Sequence, residues 1–236
     1  MCLLAIAHRV SDRYPLVVAA NRDERHDRPS LAIYWWHDHA IFGGRDLVAS
    51  GSWLAVDRRG RLAAVTNVRE DGGWPGARSR GRLVADYLAG AENALGFAEA
   101  LAPSLDQYGP FNLVLFDGRD LVYTSNRAPT EILPAGIHAL SNATLRSDWP
   151  KLGTAREGLR RALERDDPTE ALFELLAIRD PNGHESSVFV EGGEYGTRSS
   201  AVILLDADGR LSFTERRFGP NGVPTGESHH SFEIEA

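Results

Sequence analysis

The alternation of apolar and polar residues predicts β-strands at both ends of the chain and helices between them. The first two apolar runs, CLLAIAHRV and YPLVVAANRD, are joined by the turn-like SDR, which is typical of a β-hairpin. The same form recurs in SWLAVDRRGRLAAVTN, FNLVLFDGRDLVYTSN and SSAVILLDADGRLSFTERRF, where two apolar runs flank a short polar turn. Because hairpins dominate, we expect largely antiparallel sheets.

Helical periodicity lies between these hairpins. Two short segments show it, SRGRLVADYLAG and ENALGFAEALAPSL, and so does the stretch 147–165, where apolar residues recur every three or four positions. Asp167 and Pro168 are suited to begin a further helix in TEALFELLAIRD. No long low-complexity linker divides the chain. We therefore predict a single α+β domain over residues 1–236, with helices packed outside antiparallel sheets.

The composition limits the class of partner. A net charge of −7 argues against nucleic acid and against an anionic membrane surface. The single cysteine excludes an internal disulfide framework and an all-thiolate zinc site. The opening LLAIA lacks a preceding basic segment, unlike a secretory signal, and no stretch approaches the ~20 apolar residues of a membrane span. We therefore expect a cytoplasmic protein with a small-molecule partner, no nucleic acid and no transmembrane segment.

Cys2 follows the first methionine, a position from which a cysteine can become the N-terminal residue of the chain. Methionine is commonly trimmed when the second residue is small, and trimming would leave Cys2 with a free α-amine. The reference pKa values of the amine (~7.7–8.0) and of the thiol (~8.5) are close enough for proton exchange near neutrality. An N-terminal nucleophile can use its own amine as general base. The alternative is an ordinary strand cysteine that behaves as a small hydrophobe.

The tetrapeptide NRDE, residues 21–24, ends the second predicted strand. Hairpin pairing returns this segment close to Cys2. Arg22 would then polarise the thiol and favour its thiolate, while Asp23 would hold or orient the α-amine. Which of Arg22, Asp23 and Glu24 contacts Cys2 stays open, and an isolated NRDE is also typical of a solvated charged loop.

Three further residues carry side chains suited to a reacting carbonyl. Asn67 ends the apolar run AAVTN, and Asn142 lies in HALSNATL. Asparagine amides and neighbouring backbone N–H groups can stabilise a developing oxyanion, although each asparagine alone is more often a turn residue. Arg198 precedes the long strand of YGTRSSAVILL, where it would clamp a substrate carboxylate or support the nucleophile.

The sequence gives little indication of a metal site or of a phosphate-binding loop. His37 and His39 lack a carboxylate or thiol partner set, and so do His229 and His230 in the polar C-terminal tail. We therefore predict no metal site. The glycines of FGGRDLVASGSWLAV predict turns that allow close backbone approach, not a phosphate-binding loop.

Taken together, these motifs resemble the NRDE family, the transport-and-Golgi-organisation protein family, whose members begin Met-Cys and carry Asn-Arg-Asp-Glu. The resemblance runs over nearly the whole chain: MC at 1–2, NRDE at 21–24, GGRD at 43–46, GSWLAV at 51–56, TN at 66–67, FNLVL at 111–115, LSNA at 140–143, WPK at 149–151 and YGTRSS at 195–200. The family is grouped with N-terminal-nucleophile hydrolase folds. The resemblance therefore implies a four-layer αββα sandwich, two antiparallel sheets between helical layers.

The cysteine branch of that superfamily, which includes bile-salt hydrolases and penicillin V acylases, is similar at several positions. It exposes a cysteine after loss of Met, and its oxyanion-hole asparagines resemble Asn67 and Asn142. Its arginine and aspartate, spaced Arg-x-x-Asp, are matched only loosely by Arg22 and Asp23. The resemblance implies a hydrolase site, and the loose match leaves open which residue contacts the thiol and the amine.

We predict an N-terminal-cysteine amidohydrolase-like protein that acts on a linear amide or an acyl thioester and requires no cofactor. Descriptions of the NRDE family through Golgi organisation, lipid or acyl-CoA handling and haem mobilisation imply a rival from another class. That rival is a non-catalytic carrier of haem or of an acyl-CoA. The tryptophans are interpreted as core or pocket wall, with a haem cradle as the alternative; among them are Trp35, Trp36, Trp53 and Trp74.

Overall fold

The computed structural model describes residues 2–72, 76–180 and 185–235. Within these ranges the strands are β1 (Leu3–His8), β2 (Leu16–Arg25), β3 (Ser30–Trp35), β4 (Ile41–Asp46), β5 (Leu54–Asp57), β6 (Leu62–Asn67), β7 (Phe111–Phe116), β8 (Leu121–Ser125), β9 (Glu131–Leu133), β10 (Gly136–Leu140), β11 (Tyr195–Leu205), β12 (Arg210–Phe218) and β13 (Pro224–Glu233). The helices are α1 (Gly81–Ala89), α2 (Ala94–Leu101), α3 (Pro150–Ala162) and α4 (Thr169–Leu176). None of the described helices is long and apolar enough to cross a membrane.

The chain divides into two compact units, each built on one antiparallel sheet. The first unit comprises Met1–Asp27, Ala135–Ser141 and Leu145–Glu233, and the second comprises Arg28–Pro134, Asn142–Thr144 and Ile234–Ala236. The α+β class with antiparallel sheets, predicted from the hairpins, is confirmed. A single domain over residues 1–236 stays a prediction.

The first unit is a six-stranded sheet in the order β10-β1-β2-β11-β12-β13. Helix α3 packs against β1 and β10, and α4 packs against β2 and β11. Apolar side chains at alternate strand positions meet the apolar stripes of both helices, as the period-2 and period-3.6 patterns require. This core contains Leu3, Ala5, Ala7, Val17, Ala19, Ala139, Leu152, Ala155, Leu159, Leu172, Leu176, Val202 and Leu204.

The second unit is a seven-stranded sheet in the order β3-β4-β5-β6-β7-β8-β9. Helix α1 packs against β4, β5 and β6, and α2 packs against β8. The predicted turn around the first glycines of FGGRD is wrong, because Gly43 and Gly44 lie inside β4. The close approach expected of glycine is confirmed: a Cβ on Gly43 would lie 2.7 Å from the Cβ of Ala55 on the neighbouring strand β5.

The segment interpreted as a polar C-terminal tail is instead β13, paired antiparallel with β12. Its strand is held by cross-strand polar contacts rather than by an apolar face. Thr214 Oγ1 and His229 Nδ1 lie 2.8 Å apart, and Arg216 Nε donates to Glu227 Oε2 at 2.7 Å. Because these pairs are defined only once the strands are in register, hydrophobic alternation could not reveal them.

A buried ion pair ties the β5–β6 hairpin to the end of α1. Arg61 Nε donates to Asp57 Oδ2 at 2.7 Å, and neither side chain is more than 5% exposed. Arg61 Nη2 also donates to the carbonyl oxygens of Leu88 (2.7 Å) and Gly90 (2.9 Å), which the helix end leaves without intrahelical partners. The guanidinium therefore satisfies a carboxylate and a helix C-terminus at once.

We expect Arg61→Met to lower the free energy of unfolding by about 3 kcal/mol, because it leaves the Asp57 carboxylate buried without its main partner. We expect a loss of stability at the lower end of the range that is usual for breaking a buried ion pair, because Arg59 Nε still pairs with Asp57 Oδ2 at 3.2 Å. Urea unfolding measures the change, with Arg119→Met, at a side chain 85% exposed, as the matched control. Equal midpoints for the two variants would contradict this assignment.

Candidate active site

Antiparallel pairing of β1 with β2 brings the NRDE segment beside Cys2. Leu3 pairs with Asn21, so the same register, continued by one residue, sets Cys2 opposite Arg22. Cys2 Sγ lies 4.0 Å from the carbonyl oxygen of Asp23. The backbone of Cys2 is held on its other side, where Ser141 Oγ donates to the Cys2 carbonyl oxygen at 2.5 Å.

Asn21, the first residue of NRDE, is a structural tie. Its Nδ2 donates to the carbonyl oxygens of Leu176 and Val188, each at 2.9 Å, and its Oδ1 accepts from Ser200 Oγ at 2.6 Å. Leu176 is the last residue of α4, so these bonds join β2 to a helix end. The amide anchors the strand that carries the next three residues of the motif.

The pleat of β2 separates the side chains of Arg22 and Asp23. Successive residues of a strand face opposite sides of the sheet, so Asp23 shares a face with Asn21, on the side of α3 and α4. Arg22 shares the opposite face with Glu24, and Arg22 Nη2 lies 3.9 Å from Glu24 Oε2. Cys2, opposite Arg22 in the register, has the guanidinium on its own face. The Cys2 thiol and the Asp23 carboxylate therefore lie on opposite faces of the sheet.

The Cys2 thiol is less acidic than Arg22 alone would make it. Cys2 as a whole is partly exposed, yet burial of the thiol raises its pKa and the Asp23 carboxylate raises it further. The Arg22 charge lowers the pKa, as predicted, but with a smaller influence. Desolvation of the thiol outweighs the influence of the guanidinium, and a role of Arg22 in favouring the thiolate stays a prediction.

Asp23 is a buried carboxylate with a specific partner. Its side chain accepts a hydrogen bond from Thr197 Oγ1 at 2.7 Å, and the residue is 6% exposed. Burial raises the pKa of Asp23 to about 6, while the Thr197 hydrogen bond and the charge of Lys151 act to lower it. Tyr195 OH donates to the backbone carbonyl of Asp23 at 3.1 Å, which fixes the strand at this residue.

Lys151 belongs to this cluster, although it was not among the residues selected from the sequence. It is the second residue of α3 and is 1% exposed, with Nζ 5.2 Å from the centroid of the Trp149 ring. Burial lowers the pKa of Lys151, and the negative charges of Asp23 and Cys2 oppose that effect. The sequence did hold a signal: of the 26 lysine and arginine residues, Lys151 is the one lysine.

The two candidate oxyanion asparagines contact each other in the second unit. Asn142 Nδ2 donates to the backbone carbonyl of Asn67 at 2.8 Å, so one amide hydrogen of Asn142 is already engaged. Asn142 is buried, whereas the Asn67 side chain stands at the exposed end of β6. Their placement relative to Cys2, and with it their role at an oxyanion, stays a prediction.

Arg198 lies at an irregularity of β11. The register against β2 shifts between Thr197 and Ser199, so Arg198 is the extra residue of a β-bulge. Its Nη1 contacts the carbonyl oxygen of Arg25 at 3.4 Å. A contact of this guanidinium with a substrate carboxylate stays a prediction.

The remaining chemical candidates are not assembled into a site. Over residues 2–72, 76–180 and 185–235, no group of three or more His, Cys, Asp or Glu side chains is arranged to hold a metal ion. Trp36 is a core residue whose Nε1 donates to the Gly43 carbonyl oxygen at 3.0 Å. Met1, whose removal was predicted, and Trp74 lie outside the described residues. Haem binding stays a prediction.

The fold has solved counterparts among hydrolases. The N-acylethanolamine-hydrolyzing acid amidase ortholog of Caenorhabditis elegans matches with a TM-score of 0.56 at 11% identity, over 86% of this chain and 92% of that one. The C2A mutant of the conjugated bile acid hydrolase from Clostridium perfringens matches with a TM-score of 0.51 at 8% identity, over 99% and 92%. These proteins have the N-terminal-nucleophile hydrolase fold, and the fold predicted here is thereby confirmed.

Sequence comparison then identifies the family. The family described as Transport and Golgi organisation 2 matches residues 1–220. The Transport and Golgi organization protein 2 homolog of Bos taurus is 34% identical over 259 residues, with 94% of each chain covered, and that of Homo sapiens is 34% identical over 239 residues, with 86% of each covered. The Drosophila melanogaster protein of the same name is 25% identical over 243 residues. The chain belongs to the Transport and Golgi organisation 2 family.

The pKa of Asp23 predicts a pH-dependent cost to stability. In the unfolded chain an aspartate titrates near ~3.9, so between about pH 4 and 6 the folded state binds more protons than the unfolded state. Stability therefore falls as pH rises through this window. We expect Asp23→Asn to escape that loss, so that its free energy of unfolding gains about 2 kcal/mol on wild type between pH 4 and pH 7.

Urea unfolding at a series of pH values measures this difference. Asp208→Asn, in the exposed β11–β12 turn, is the matched control and should track wild type at every pH. A constant difference between Asp23→Asn and wild type from pH 4 to pH 7 would show that Asp23 titrates normally.

Proposed function

We propose that this chain is a cysteine N-terminal-nucleophile hydrolase that cleaves a linear amide or an acyl thioester. The observation that carries the proposal is the placement of Cys2 at the start of β1, with its Sγ 4.0 Å from the Asp23 carbonyl and with Arg22 across the register. Two proteins of the same fold are described as hydrolases, one acting on N-acylethanolamines and one on conjugated bile acids.

The proposed reaction begins when loss of Met1 leaves Cys2 with a free α-amine. The amine takes the thiol proton, and the thiolate sulfur attacks the carbonyl carbon to give a tetrahedral intermediate. Collapse of the intermediate expels the amine or thiol leaving group, which receives the proton from the α-ammonium. Water, deprotonated by the same amine, then attacks the thioester carbon and releases the acyl group as a carboxylic acid with Cys2 regenerated.

The residues on the two faces of β2 have different roles in this proposed reaction. Arg22, on the face of Cys2, stabilises the thiolate against the burial that raises its pKa. Asp23, hydrogen-bonded by Thr197, presents a carboxylate that can hold the α-amine in place. We assign Asn142 and the Asn67 region to the developing oxyanion and Arg198 to a substrate carboxylate.

The chain start tests this proposal. We compare three forms: protein with Cys2 as its N-terminal residue, protein with a short polar extension before Cys2, and Cys2→Ala with the same free N-terminus. Only the first should hydrolyse fluorogenic N-acyl amides and acyl thioesters and show an acyl adduct on Cys2 by intact mass. The extension converts the α-amine into an amide, so proteolytic removal of the extension should restore turnover, while all forms keep the same melting temperature.

Turnover by Cys2→Ala, or undiminished turnover by the extended form, would overturn the proposal. Equal binding of haem or acyl-CoA by all three forms, with turnover by none, would instead establish the carrier. A haem titration followed by the Soret band and a fluorescent acyl-CoA titration provide these readouts.

Asn142 gives a second prediction. If its amide stabilises the oxyanion, Asn142→Ala should lower kcat by about 10²–10³, equivalent to ~2.7–4 kcal/mol, with KM little changed. Asn93→Ala is the matched control, because Asn93 caps α2 by accepting from Gly96 N at 2.7 Å and should affect stability alone. A large loss of melting temperature with little loss of kcat in Asn142→Ala would mean that the Asn142–Asn67 bond is structural only.

A further inference from the structure

Lys151 is the exception in an arginine-rich chain. The sequence contains 26 basic lysine and arginine residues, and Lys151 is the one lysine among them. Arginine carries the positive charge at every other position, including the ion pairs of the described surface. Lysine differs from arginine in being a compact ammonium that can shift its pKa readily when buried. The one lysine is therefore a place to look for a buried positive charge and the negative charge that compensates it.

Helix stability does not explain this residue. Lys151 is in the first turn of α3, where the helix macrodipole disfavours a cation, and that turn contains no acidic residue. The side chain is 1% exposed, so its ammonium also loses hydration. Both effects oppose a lysine at this place. A compensating negative charge must be sought among the groups that α3 covers.

The first turn of α3 lies over the strand ends that carry the candidate nucleophile. Leu152, the next residue, packs in one core cluster with Leu3 of β1 and Ala19 of β2. Lys151 N donates to the carbonyl oxygen of Glu185 at 3.2 Å, which fixes the helix start. Its ammonium is held over the Trp149 ring, 5.2 Å from the centroid.

Among the described residues, the charged groups that act on Lys151 are Asp23, Cys2 and Glu185. The strands packed against α3 turn apolar side chains toward it, because their polar residues alternate to the far face, and α4 meets α3 through its leucines. These apolar residues are Leu3, Ala5 and Ala7 of β1, Ile137 and Ala139 of β10, and Leu172, Leu175 and Leu176 of α4. His138, between Ile137 and Ala139, pairs with Ile6 and faces away from the helix.

We propose that Lys151 is a positioning residue of the Cys2 site, whose buried ammonium keeps the Asp23 carboxylate ionised so that the carboxylate can hold the α-amine of Cys2. The proposal rests on the proposed function for its consequence, but the pairing of the two charges can be measured without turnover. Asp23 is on the helix side of β2, where Arg22 is not. Burial raises the pKa of Asp23 to about 6, and the charge of Lys151 opposes that effect after the Thr197 hydrogen bond.

The single lysine permits a direct measurement of this pairing. Untagged protein labelled with [13Cε]lysine gives one lysine signal, and its titration reports the pKa of Lys151. We expect a pKa below the ordinary ~10.4 because of burial, and a further decrease in Asp23→Asn, which removes a charge that favours the ammonium. An identical titration in wild type and Asp23→Asn would overturn the proposal, whether or not the protein hydrolyses any amide.

A double-mutant cycle tests the same pairing from the side of the carboxylate. In Lys151→Met the Asp23 carboxylate loses the favourable charge of the ammonium, so its pKa should rise above the value of about 6. Asp23→Asn gains stability relative to its parent over a certain pH range. When both proteins also carry Lys151→Met, that range should extend to higher pH by the same amount. Methionine keeps the apolar stem against Trp149, and Arg160→Met, at a 58% exposed position of the same helix, is the matched control. An unmoved window would overturn the proposal.

The acid limb of the pH–rate profile for hydrolysis provides a test that separates this inference from the proposed function. The acid limb should move to higher pH in Lys151→Met, by the same amount as the pKa of Asp23, and remain in place in Arg160→Met. The charge-keeping Lys151→Arg should retain it near wild type. An acid limb that stays in place in Lys151→Met would contradict the positioning role. Absence of turnover from every form, together with a lysine signal that responds to Asp23→Asn, would overturn the proposed function and leave the charge pair established.

Discussion

The backbone ladder β1–β2–β11 is the constraint on which the candidate site depends. It sets Leu3 opposite Asn21 and Thr197 opposite Asp23, and the positions of the thiol, the guanidinium and the carboxylate follow from those two pairings. A slip of one residue between β1 and β2 would bring Cys2 opposite a residue of the other face. The slip is opposed by the packing of the core, because it would put Leu4, Ile6 and His8 against the helices in place of Leu3, Ala5 and Ala7. The fold thus specifies the site through the burial of residues that take no part in chemistry.

The charged form of each ionisable group in the site is disfavoured by the burial of that group. Burial raises the pKa of the Cys2 thiol and of the Asp23 carboxylate, and it lowers that of the Lys151 ammonium. All three shifts disfavour the charged form, and opposite charges reduce the cost only when they are present together. The state with Asp23 and Lys151 both charged is therefore favoured over either single charge. Such interdependence predicts strong non-additivity among substitutions at these positions.

Much of the fold was accessible from the sequence, and the exceptions have physical causes. Hairpins made of apolar runs joined by short turns, such as the Asp117-Gly118 turn, were predicted because both signals are local. Strand β4 was missed because its glycines are required by contact with β5, and β13 because its pairing partners are polar. The opposite orientation of Arg22 and Asp23 follows from the pleat alone and was within reach of the sequence.

The candidate site was predicted in part for a similar reason. The position of Cys2 and the NRDE segment adjoin through one local hairpin, so their proximity could be inferred. Lys151 reaches them from a helix 149 positions beyond Cys2, and only the packing of α3 on β1 reveals the connection. The net influence on the Cys2 thiol could not be predicted either, because burial outweighs the nearby guanidinium and depends on the whole tertiary structure.

The energetic cost of these buried charges bears on the choice between catalyst and carrier. A carrier of haem or of an acyl-CoA would gain from a positive charge only where that charge contacts the carboxylates or phosphates of its ligand, and Lys151 is 1% exposed. Replacing such a pair with apolar side chains is often neutral or stabilising. An N-terminal nucleophile, in contrast, needs a carboxylate near its amine that is ionised at the working pH, and burial alone would leave Asp23 protonated more often. The proposed pairing of Asp23 with Lys151 is therefore in accord with the proposed proton transfer at Cys2.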